Sequence, residues 1–294
     1  MRRSMLFLPG NSPNMLINGN CFGADAVIFD LEDAVSPQEK DSARILVRNT
    51  MRYMCFDGCE KIVRINSIDT PYWKDDLDAL IPEKPDLILL PKACMPEDIL
   101  EVDKYIAQVE KKCGIKNETV GLVALIETAL GVENSYRIAS CSSRVKALFL
   151  GAEDLTADLQ CKRTKEGREI EYARTRLVAA ARAAGVDVYD TPFTDVNDDI
   201  GIVEDTKTAK GLGFTGKASI SPRHIDIINE VFSPTKAEID YAYEVIDAIA
   251  QAKKMGKGAI SLRGKMIDAP IVARAERTIS IAEALGIDGR TVNE

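Results

Sequence analysis

The sequence of 294 residues contains a single histidine, His224. A catalytic dyad that depends on histidine is therefore excluded everywhere except around this position, and a zinc site with several histidine ligands is excluded altogether. Because His224 stands at the start of a predicted helix, we interpret it as a surface or capping residue rather than a base. Any chemistry must then depend on carboxylates, arginine, lysine and a hard metal ion.

The seven cysteines include no C-x-x-C pair, and their odd number would leave one thiol unpaired in a disulfide framework. We therefore predict reduced thiols, most of them buried. No window approaches the run of about 18 apolar residues that a membrane-spanning helix needs. The first apolar run is also too short for a secretory signal. These absences predict a cytoplasmic protein.

The sequence has fewer basic than acidic residues: 38 Lys and Arg against 46 Asp and Glu, which gives a formal net charge of −8. An acidic surface has the wrong sign for holding a nucleic-acid backbone or an anionic membrane, so neither is an expected partner. The segment 211–216 matches the pattern G-x-G-x-x-G. It precedes a predicted strand, whereas a dinucleotide-binding fingerprint must follow one, so we reject a nucleotide site there.

Eight short β-rich runs recur along the chain, each followed by a segment with helical patterning. Most are continuously apolar, which is typical of strands buried on both faces of a parallel sheet. Eight strand–helix units predict an α/β fold, a (β/α)8 TIM barrel, over residues 1–232. A doubly wound open sheet is the alternative. The predicted strands are Met5–Leu8, Ala26–Asp30, Lys61–Asn66, Leu87–Pro91, Val120–Ile126, Ala147–Gly151, Val186–Asp190 and Phe214–Ile220.

A C-terminal extension, residues 233–294, follows the completed barrel. A helix is predicted from Ser233-Pro234 to about Lys254, then a hairpin that turns at Arg263-Gly264, and a final helix over Ile271–Leu285. The barrel does not need this segment, so we expect it to pack on the barrel or on a neighbouring subunit.

Acidic residues stand where predicted strands end, and in a barrel these ends converge on one mouth. Gathered in a low-dielectric mouth, such carboxylates would repel one another unless a cation lies among them. Without histidine or paired thiolates, the expected ion is hard, Mg²⁺ or Mn²⁺, with oxygen ligands. Each residue taken alone could equally be a helix cap. The acidic residues are Glu32, Asp33, Glu127, Glu153 and Asp154.

Glu127 and Asp154 are the predicted metal ligands, because each closely follows an apolar strand. Arg64, from the third strand, is predicted to bind an anionic substrate through a bidentate carboxylate contact. The site would then suit a small oxo- or hydroxy-acid. Lys92 ends the fourth strand, and we favour a charge partner for the carboxylates over a Schiff-base lysine of a metal-free aldolase.

Seven segments, in order, resemble the HpcH/HpaI aldolase-like family, which includes citrate lyase β subunits and malyl-CoA and citramalyl-CoA lyases. The segments are RRSMLFLPGN, FDLEDAV, VRIN, LPK, ALIET, LGAEDL and GKMIDAP. The resemblance extends from Arg2 to about Leu285 and implies a (β/α)8 barrel that binds Mg²⁺.

The resemblance assigns roles to individual positions. It implies that Glu127 and Asp154 bind the metal, that Arg64 binds the substrate carboxylate, and that Glu32 and Asp33 hold the metal's waters. It also implies that the Asp268 carboxyl acts as an acid/base in the active site of an adjacent subunit.

The remaining expected contacts surround this centre. Besides Arg64, the residues expected to contact substrate are Glu32, Asp33, Lys92, Glu127, Ala152 and Glu153. The residues expected near the thioester arm are Pro9, Gly10, Asn11, Ser221 and Pro222. Ser221 stands where the family usually has Asn or His, so recognition of the arm is where this chain is expected to differ.

The implied reaction is cleavage of a (3S)-citryl thioester, carried on CoA or on an acyl-carrier subunit, into oxaloacetate and an acetyl thioester. The implied partners are the α (transferase) and γ (carrier) subunits of citrate lyase, and further copies of this chain in a homo-oligomer. Two alternatives stay open. One is a stand-alone lyase for malyl-CoA, citramalyl-CoA or a related ester, and the other is a non-catalytic binding or assembly subunit.

Overall fold

The structure is a computed structural model that describes residues 1–254 and 260–287. Contacts divide the chain into two units, one of Arg2–Phe232 and one that begins at Ser233 and includes Met1. None of the described helices is long and apolar enough to cross a membrane.

Eight parallel strands of the first unit form a closed barrel in chain order, with the last strand paired to the first. The predicted (β/α)8 barrel is therefore confirmed, and each predicted strand end lies within two residues of the observed one. The strands are β1 (Ser4–Pro9), β2 (Ala26–Asp30), β3 (Glu60–Arg64), β4 (Leu87–Leu90), β5 (Gly121–Ile126), β6 (Val145–Leu150), β7 (Asp187–Asp190) and β8 (Gly216–Ser219).

Helices follow the strands and cover the outside of the barrel. Short 3₁₀ turns at residues 19–22, 37–39, 81–83, 168–170 and 222–224 complete the connections. The helices are α1 (Pro13–Asn18), α2 (Lys40–Tyr53), α3 (Trp73–Leu80), α4 (Pro96–Lys112), α5 (Ala129–Ser140), α6 (Ala152–Asp158), α7 (Glu171–Ala184), α8 (Asp199–Leu212) and α9 (Ile225–Phe232).

Side chains alternate between the two faces of each strand, which divides the core into two layers. On β2, Val27 and Phe29 belong to the cluster that packs under the helices, whereas Ala26 and Ile28 belong to a separate cluster with inward residues of the other strands. Counted onward with the same period of two, the next inward position after Ile28 is Asp30. The same count brings polar or small residues to the barrel mouth at several strand ends.

A buried ionic network joins β7 and β8 to the helices behind them. The Lys217 ammonium donates to Asp190 Oδ2 at 2.7 Å and to the Thr191 carbonyl at 2.6 Å. Asp205 pairs with Lys217 at 2.6 Å and with Arg174 at 2.7 Å, and Arg174 also donates to both oxygens of Asp190. Two cations therefore balance two carboxylates that have little access to solvent.

The described residues of the second unit form two helices and a hairpin. α10 (Lys236–Lys254) begins at a capping box, in which Thr235 N donates to Glu238 Oε2 at 2.7 Å and Glu238 N donates to Thr235 Oγ1 at 3.3 Å. β9 (Ile260–Leu262) and β10 (Lys265–Ile267) are antiparallel, and α11 (Ala269–Ala284) follows them.

The hairpin turns at Arg263 and Gly264 as predicted, with φ of 48° and 75°. Residues 256–259 of the predicted hairpin segment and residues 288–294 of the predicted extension lie outside the described residues.

The cysteines correct one prediction. All seven are free, as expected, but none is buried. Cys21, Cys55, Cys113 and Cys161 are exposed because each lies in a 3₁₀ turn or just after a helix rather than on a face that packs into the core.

Candidate active site

A cavity of about 450 Å³ opens at the carboxyl ends of the barrel strands. Seven of its 17 lining residues occupy the next inward position on their strands, directly above the apolar residues that fill the barrel. The lining residues are Phe7, Pro9, Asp30, Asp33, Ala34, Arg64, Leu125, Glu127, Phe149, Leu150, Gly151, Ala152, Glu153, Asp154, Thr191, Pro192 and Ile220.

Arg64 stands at the end of β3 and is fixed by its neighbour on β2. Its Nε donates to Asp30 Oδ1 at 2.7 Å and its Nη2 donates to Asp30 Oδ2 at 2.6 Å, while the guanidinium lies 5.2 Å from the centre of the Phe7 ring. Asp30 thus occupies the Nε side of the guanidinium. On the other side, Nη1 lies 3.0 Å from Glu32 Oε2 and 3.6 Å from Asp33 Oδ2, so a ligand carboxylate at the Nη1–Nη2 end would share the guanidinium with these acidic groups.

Glu127 and Asp154, the predicted metal ligands, are brought together. Glu127 follows β5 and is buried, with only 3% of its surface exposed. Burial raises the pKa of Glu127 to about 9, and the hydrogen-bonding contact with the Asp154 carboxyl and the nearby charge of Glu32 act in the same direction. The main-chain N–H of Lys92 donates to Glu127 Oε1 at 3.1 Å and fixes that carboxyl.

Glu32 and Asp33 follow β2, but their environments differ. The Glu32 carboxylate is buried and accepts from Lys92 Nζ at 2.9 Å, whereas the Asp33 side chain is 57% exposed and lies 3.6 Å from Arg64 Nη1. Glu32 Oε2 lies 3.0 Å from Arg64 Nη1, yet this buried oxygen has no hydrogen-bond partner among the described residues. It is an acceptor that a water or another ligand would satisfy.

These groups fit a hard divalent ion. Among the described residues no cluster of three or more histidine, cysteine or acidic side chains is arranged to hold a metal. The pair Glu127 and Asp154 would therefore provide two oxygen ligands, leaving the remaining octahedral positions to water and substrate, as Mg²⁺ prefers. Two adjacent carboxylates in a largely apolar cavity also need a cation to be stable as anions.

The other predicted substrate contacts lie around this centre. Ala152 N donates to Thr191 Oγ1 at 3.3 Å, which ties the start of α6 to the end of β7. Glu153 points largely to solvent, 63% exposed, and lies 3.7 Å from Arg163 Nε. Lys92 is a charge partner of Glu32, as favoured from the sequence, with its ammonium held by that carboxylate.

The residues expected near the thioester arm flank the cavity more than they line it. Pro9 lines it. Gly10 is buried and donates from its N–H to the Asp30 carbonyl at 2.8 Å, and Asn11 donates to Glu39 at 2.9 Å. Ser221 and Pro222 directly follow Ile220, which does line the cavity, and Ser221 Oγ accepts from Arg223 N. Their role in binding the arm stays a prediction.

Asp268 belongs to the second unit. It is exposed and caps α11, where its carboxylate accepts from Ile271 N at 3.4 Å. Its predicted role in the site of an adjacent subunit stays a prediction.

His224 corrects the interpretation of the sequence. Rather than a surface or capping residue, it is fully buried, and its ring packs 6.3 Å from the Phe193 ring. Both ring nitrogens lack a hydrogen-bond partner among the described side chains and main chain. Burial lowers the pKa of His224 and favours the neutral form. The 3₁₀ turn at residues 222–224 carries the side chain inward, which a helical pattern does not reveal.

Two side chains that support the site, those of Asp30 and Lys40, were assigned no role from the sequence. Asp30 orients Arg64, and the buried ammonium of Lys40 donates to the carbonyls of Leu31 and Glu32, both at 2.7 Å. The period-two alternation along β2 is a signal for Asp30, because it makes Asp30 the next inward residue after Ile28. The sequence carries no comparable signal for Lys40, which reaches the loop from α2.

Gly151 makes room for Glu127, because a Cβ at Gly151 would stand 2.6 Å from Glu127 Cγ and 3.1 Å from Glu127 Cδ. Gly151→Ala is therefore expected to displace the carboxylate and to weaken binding of a divalent ion about tenfold or more. Calorimetric titration with Mg²⁺ measures this.

The matched control is Gly211→Ala in α8, where a Cβ meets nothing within 4 Å. It should leave Mg²⁺ affinity unchanged and should raise stability slightly, because alanine favours the helix. Equal Mg²⁺ affinity in both alanine variants would contradict the assigned role of Gly151.

Comparison with known proteins relates this chain to one protein family. Residues 3–222 match the HpcH/HpaI aldolase/citrate lyase family. Citrate lyase subunit beta of Leuconostoc mesenteroides subsp. cremoris is 44% identical over 284 residues, which cover 97% of this chain and 94% of that protein. The protein of the same name from Escherichia coli strain K12 is 40% identical, with coverage of 97% and 95%.

More distant relatives carry other names. The mitochondrial citramalyl-CoA lyase of Homo sapiens is 31% identical and covers 97% of this chain and 86% of that protein. Among solved structures, the protein CitE from Mycobacterium tuberculosis in complex with magnesium, acetoacetate and coenzyme A superposes with a TM-score of 0.80. It is 28% identical, and the match covers 96% of this chain and 98% of that one.

Proposed function

The chain belongs to the HpcH/HpaI aldolase/citrate lyase family, and we propose that it is a Mg²⁺-dependent lyase that cleaves a (3S)-citryl thioester into oxaloacetate and an acetyl thioester. The observation on which this proposal depends is the pair of adjacent carboxyl groups of Glu127 and Asp154 in the same cavity as the Arg64 guanidinium. The relatives named citrate lyase subunit beta are 40–44% identical, against 31% for the citramalyl-CoA lyase, which favours the citryl thioester as substrate.

Cleavage requires that the substrate hydroxyl loses its proton, that the adjacent carbon–carbon bond breaks, and that the released acetyl carbon gains a proton. Mg²⁺, when bound, would act as a Lewis acid toward the substrate. Glu127 and Asp154 would hold the ion. Arg64 binds the substrate carboxylate through its Nη1–Nη2 end, and Asp30 keeps the guanidinium in the required plane.

Glu32 is the proposed acceptor of the hydroxyl proton, which passes to its carboxylate through a bound water. Its buried Oε2 is ion-paired with Arg64 Nη1 at 3.0 Å but makes no hydrogen bond among the described residues, and Lys92 Nζ holds Oε1. The electron pair of the broken carbon–carbon bond stays on the acetyl carbon as an enolate of the thioester. Asp268 of a second copy of the chain is the proposed acid for that carbon.

The proposal includes an assembly. The relatives' names identify them as one subunit of citrate lyase, so we place this chain in a multi-subunit complex. The partners there are a transferase (α) subunit and an acyl-carrier (γ) subunit, and the arm that bears the citryl group comes from the carrier or from CoA.

The substrate is tested by incubating the chain with citryl-CoA, malyl-CoA and citramalyl-CoA, with Mg²⁺ or with EDTA, and by measuring oxo-acid release. We expect oxaloacetate from citryl-CoA in Mg²⁺ only. Faster release of glyoxylate from malyl-CoA or of pyruvate from citramalyl-CoA would establish the stand-alone lyase instead. No turnover of any ester, despite Mg²⁺ binding, would identify a non-catalytic subunit.

The role of Asp268 is tested by coexpressing two chains, one with Asp268→Asn and one with Asp154→Asn, each expected to be inactive alone. If a site takes Asp154 from one copy and Asp268 from another, random association restores about a quarter of the parental activity. Citryl-CoA cleavage by the mixed assembly measures this. No recovery in a mixed assembly confirmed by mass would show that both residues act within one chain.

A further inference from the structure

The main chain of Lys92 has an unusual conformation at the mouth of the barrel. Its φ is 54°, in the left-handed region that residues with a side chain rarely adopt. Four other non-glycine residues of the described chain share a positive φ, namely Lys84, Glu118, Gln160 and Arg263. All four are exposed; three lie in turns, and Lys84 directly follows the 3₁₀ turn at residues 81–83. Lys92 alone among these five contacts carboxylates of the proposed active site.

The left-handed conformation of Lys92 sets the directions of two successive main-chain N–H groups, those of Lys92 and Ala93. β4 pairs regularly with β5 as far as Leu90 opposite Ala124. Beyond it, Lys92 N–H donates to Glu127 Oε1 at 3.1 Å and Ala93 N–H donates to the Leu125 carbonyl at 3.2 Å. The amide of Lys92 is thereby taken out of the barrel ladder and aimed at a side chain.

The same residue reaches a second carboxylate with its side chain. Lys92 Nζ donates to Glu32 Oε1 at 2.9 Å, and the lysine side chain is 40% exposed. One residue therefore holds Glu127 by its main chain and Glu32 by its side chain. These two contacts are chemically separate, because any residue other than proline keeps the amide and only lysine keeps the ammonium.

We infer that Lys92 is a positioning residue whose left-handed main chain, rather than its ammonium, orients Glu127 to bind the divalent ion. This inference rests on the proposed function, because it takes Glu127 as a metal ligand. A bond from the amide to Oε1 fixes the plane of the carboxyl and leaves Oε2 as the oxygen presented to the ion. Partners of this kind behind a metal ligand commonly change metal affinity by about 10- to 100-fold.

Two substitutions separate the main chain from the ammonium. Lys92→Gly and Lys92→Val both remove the ammonium, but glycine adopts positive φ freely whereas a β-branched residue strongly disfavours it. The Gly variant should keep Mg²⁺ affinity within about threefold of the parent, and the Val variant should bind Mg²⁺ about tenfold more weakly or worse. Lys92→Asn tolerates the left-handed region and should resemble the Gly variant.

The measurement is calorimetric titration of each full-length chain with Mg²⁺, without substrate, alongside its melting temperature. Equal Mg²⁺ affinity in the Gly and Val variants would overturn the inference. If the Val variant does not fold, Lys92→Ala replaces it, and the inference then requires weaker binding by Ala than by Gly. A parent chain that binds no Mg²⁺ would instead overturn the proposed function itself, so the two failures are distinguishable.

Discussion

Asp154→Asn should reduce Mg²⁺-dependent cleavage of citryl-CoA by about 10³-fold or more, because it removes one of the two charged oxygen ligands that the chain offers the ion. The amide is nearly the same size as the carboxylate, so packing at the start of α6 is preserved. Steady-state rates at saturating Mg²⁺, together with the affinity for Mg²⁺, measure the effect.

The melting temperature of the Asp154→Asn variant shows whether its lower activity comes from loss of a metal ligand or from unfolding. In the chain without metal, burial and the contact with Asp154 raise the pKa of Glu127 to about 9, so at neutral pH this carboxyl is protonated and hydrogen-bonds to Asp154. Asn keeps an oxygen that can accept the same bond, so the Asn variant should melt at about the same temperature as the parent in EDTA. Glu166→Gln, at an exposed position on the loop after α6, controls for the loss of one negative charge. An Asp154→Asn chain that retains a tenth of the parental activity would contradict the metal site.

Arg64→Lys should lower kcat/KM for citryl-CoA about 100-fold, which corresponds to losing a charge-assisted contact. Lysine keeps the positive charge beside Asp30, so that buried carboxylate is not left without a counter-ion. A single ammonium cannot, however, bond to Asp30 along one side and to a substrate carboxylate along the other in a fixed plane. Initial rates over a range of citryl-CoA concentrations, with melting temperature as the check on folding, measure this.

The control for Arg64→Lys is Arg52→Lys. Arg52 is paired with Glu83 at the protein surface, and exposed pairs contribute little. It should leave kcat/KM and melting temperature unchanged. A kcat/KM for the Arg64→Lys chain within twofold of the parent would show that the substrate carboxylate binds elsewhere.

Much of the fold was predictable because parallel barrel strands are buried on both faces. Runs such as residues 121–126 and 145–150 are nearly continuous in apolar residues, and the change from strand to helix patterning repeats eight times. The positions of Glu127 and Arg64 follow from the same regularity, since each continues the inward alternation of its strand into the mouth.

The remaining features depend on tertiary contacts that the local pattern does not encode. Lys40 reaches the loop after β2 from a helix. Lys92 adopts a positive φ although lysine, unlike glycine, gives no indication of that conformation in a sequence. His224 is buried by the turn that precedes α9, whereas its neighbours Arg223 and Pro222 give a surface-like local sequence. Cysteine is on average a buried residue type. The prediction of buried thiols based on that average is wrong here because several of the cysteines lie just after helix ends.

The network of Lys217, Asp190, Arg174 and Asp205 constrains any attempt to build hybrids from members of this fold. Strand β7 supplies one anion, β8 supplies one cation, and α7 and α8 supply the others. If β7 and its loop are replaced by those of a relative while the native β8 is kept, one charge is left buried and unpaired unless the relative has the same pairing. An unpaired buried charge of this kind costs about 3–5 kcal/mol. The four positions must therefore be transplanted together, and recombination break points are best placed before α7 or after β8.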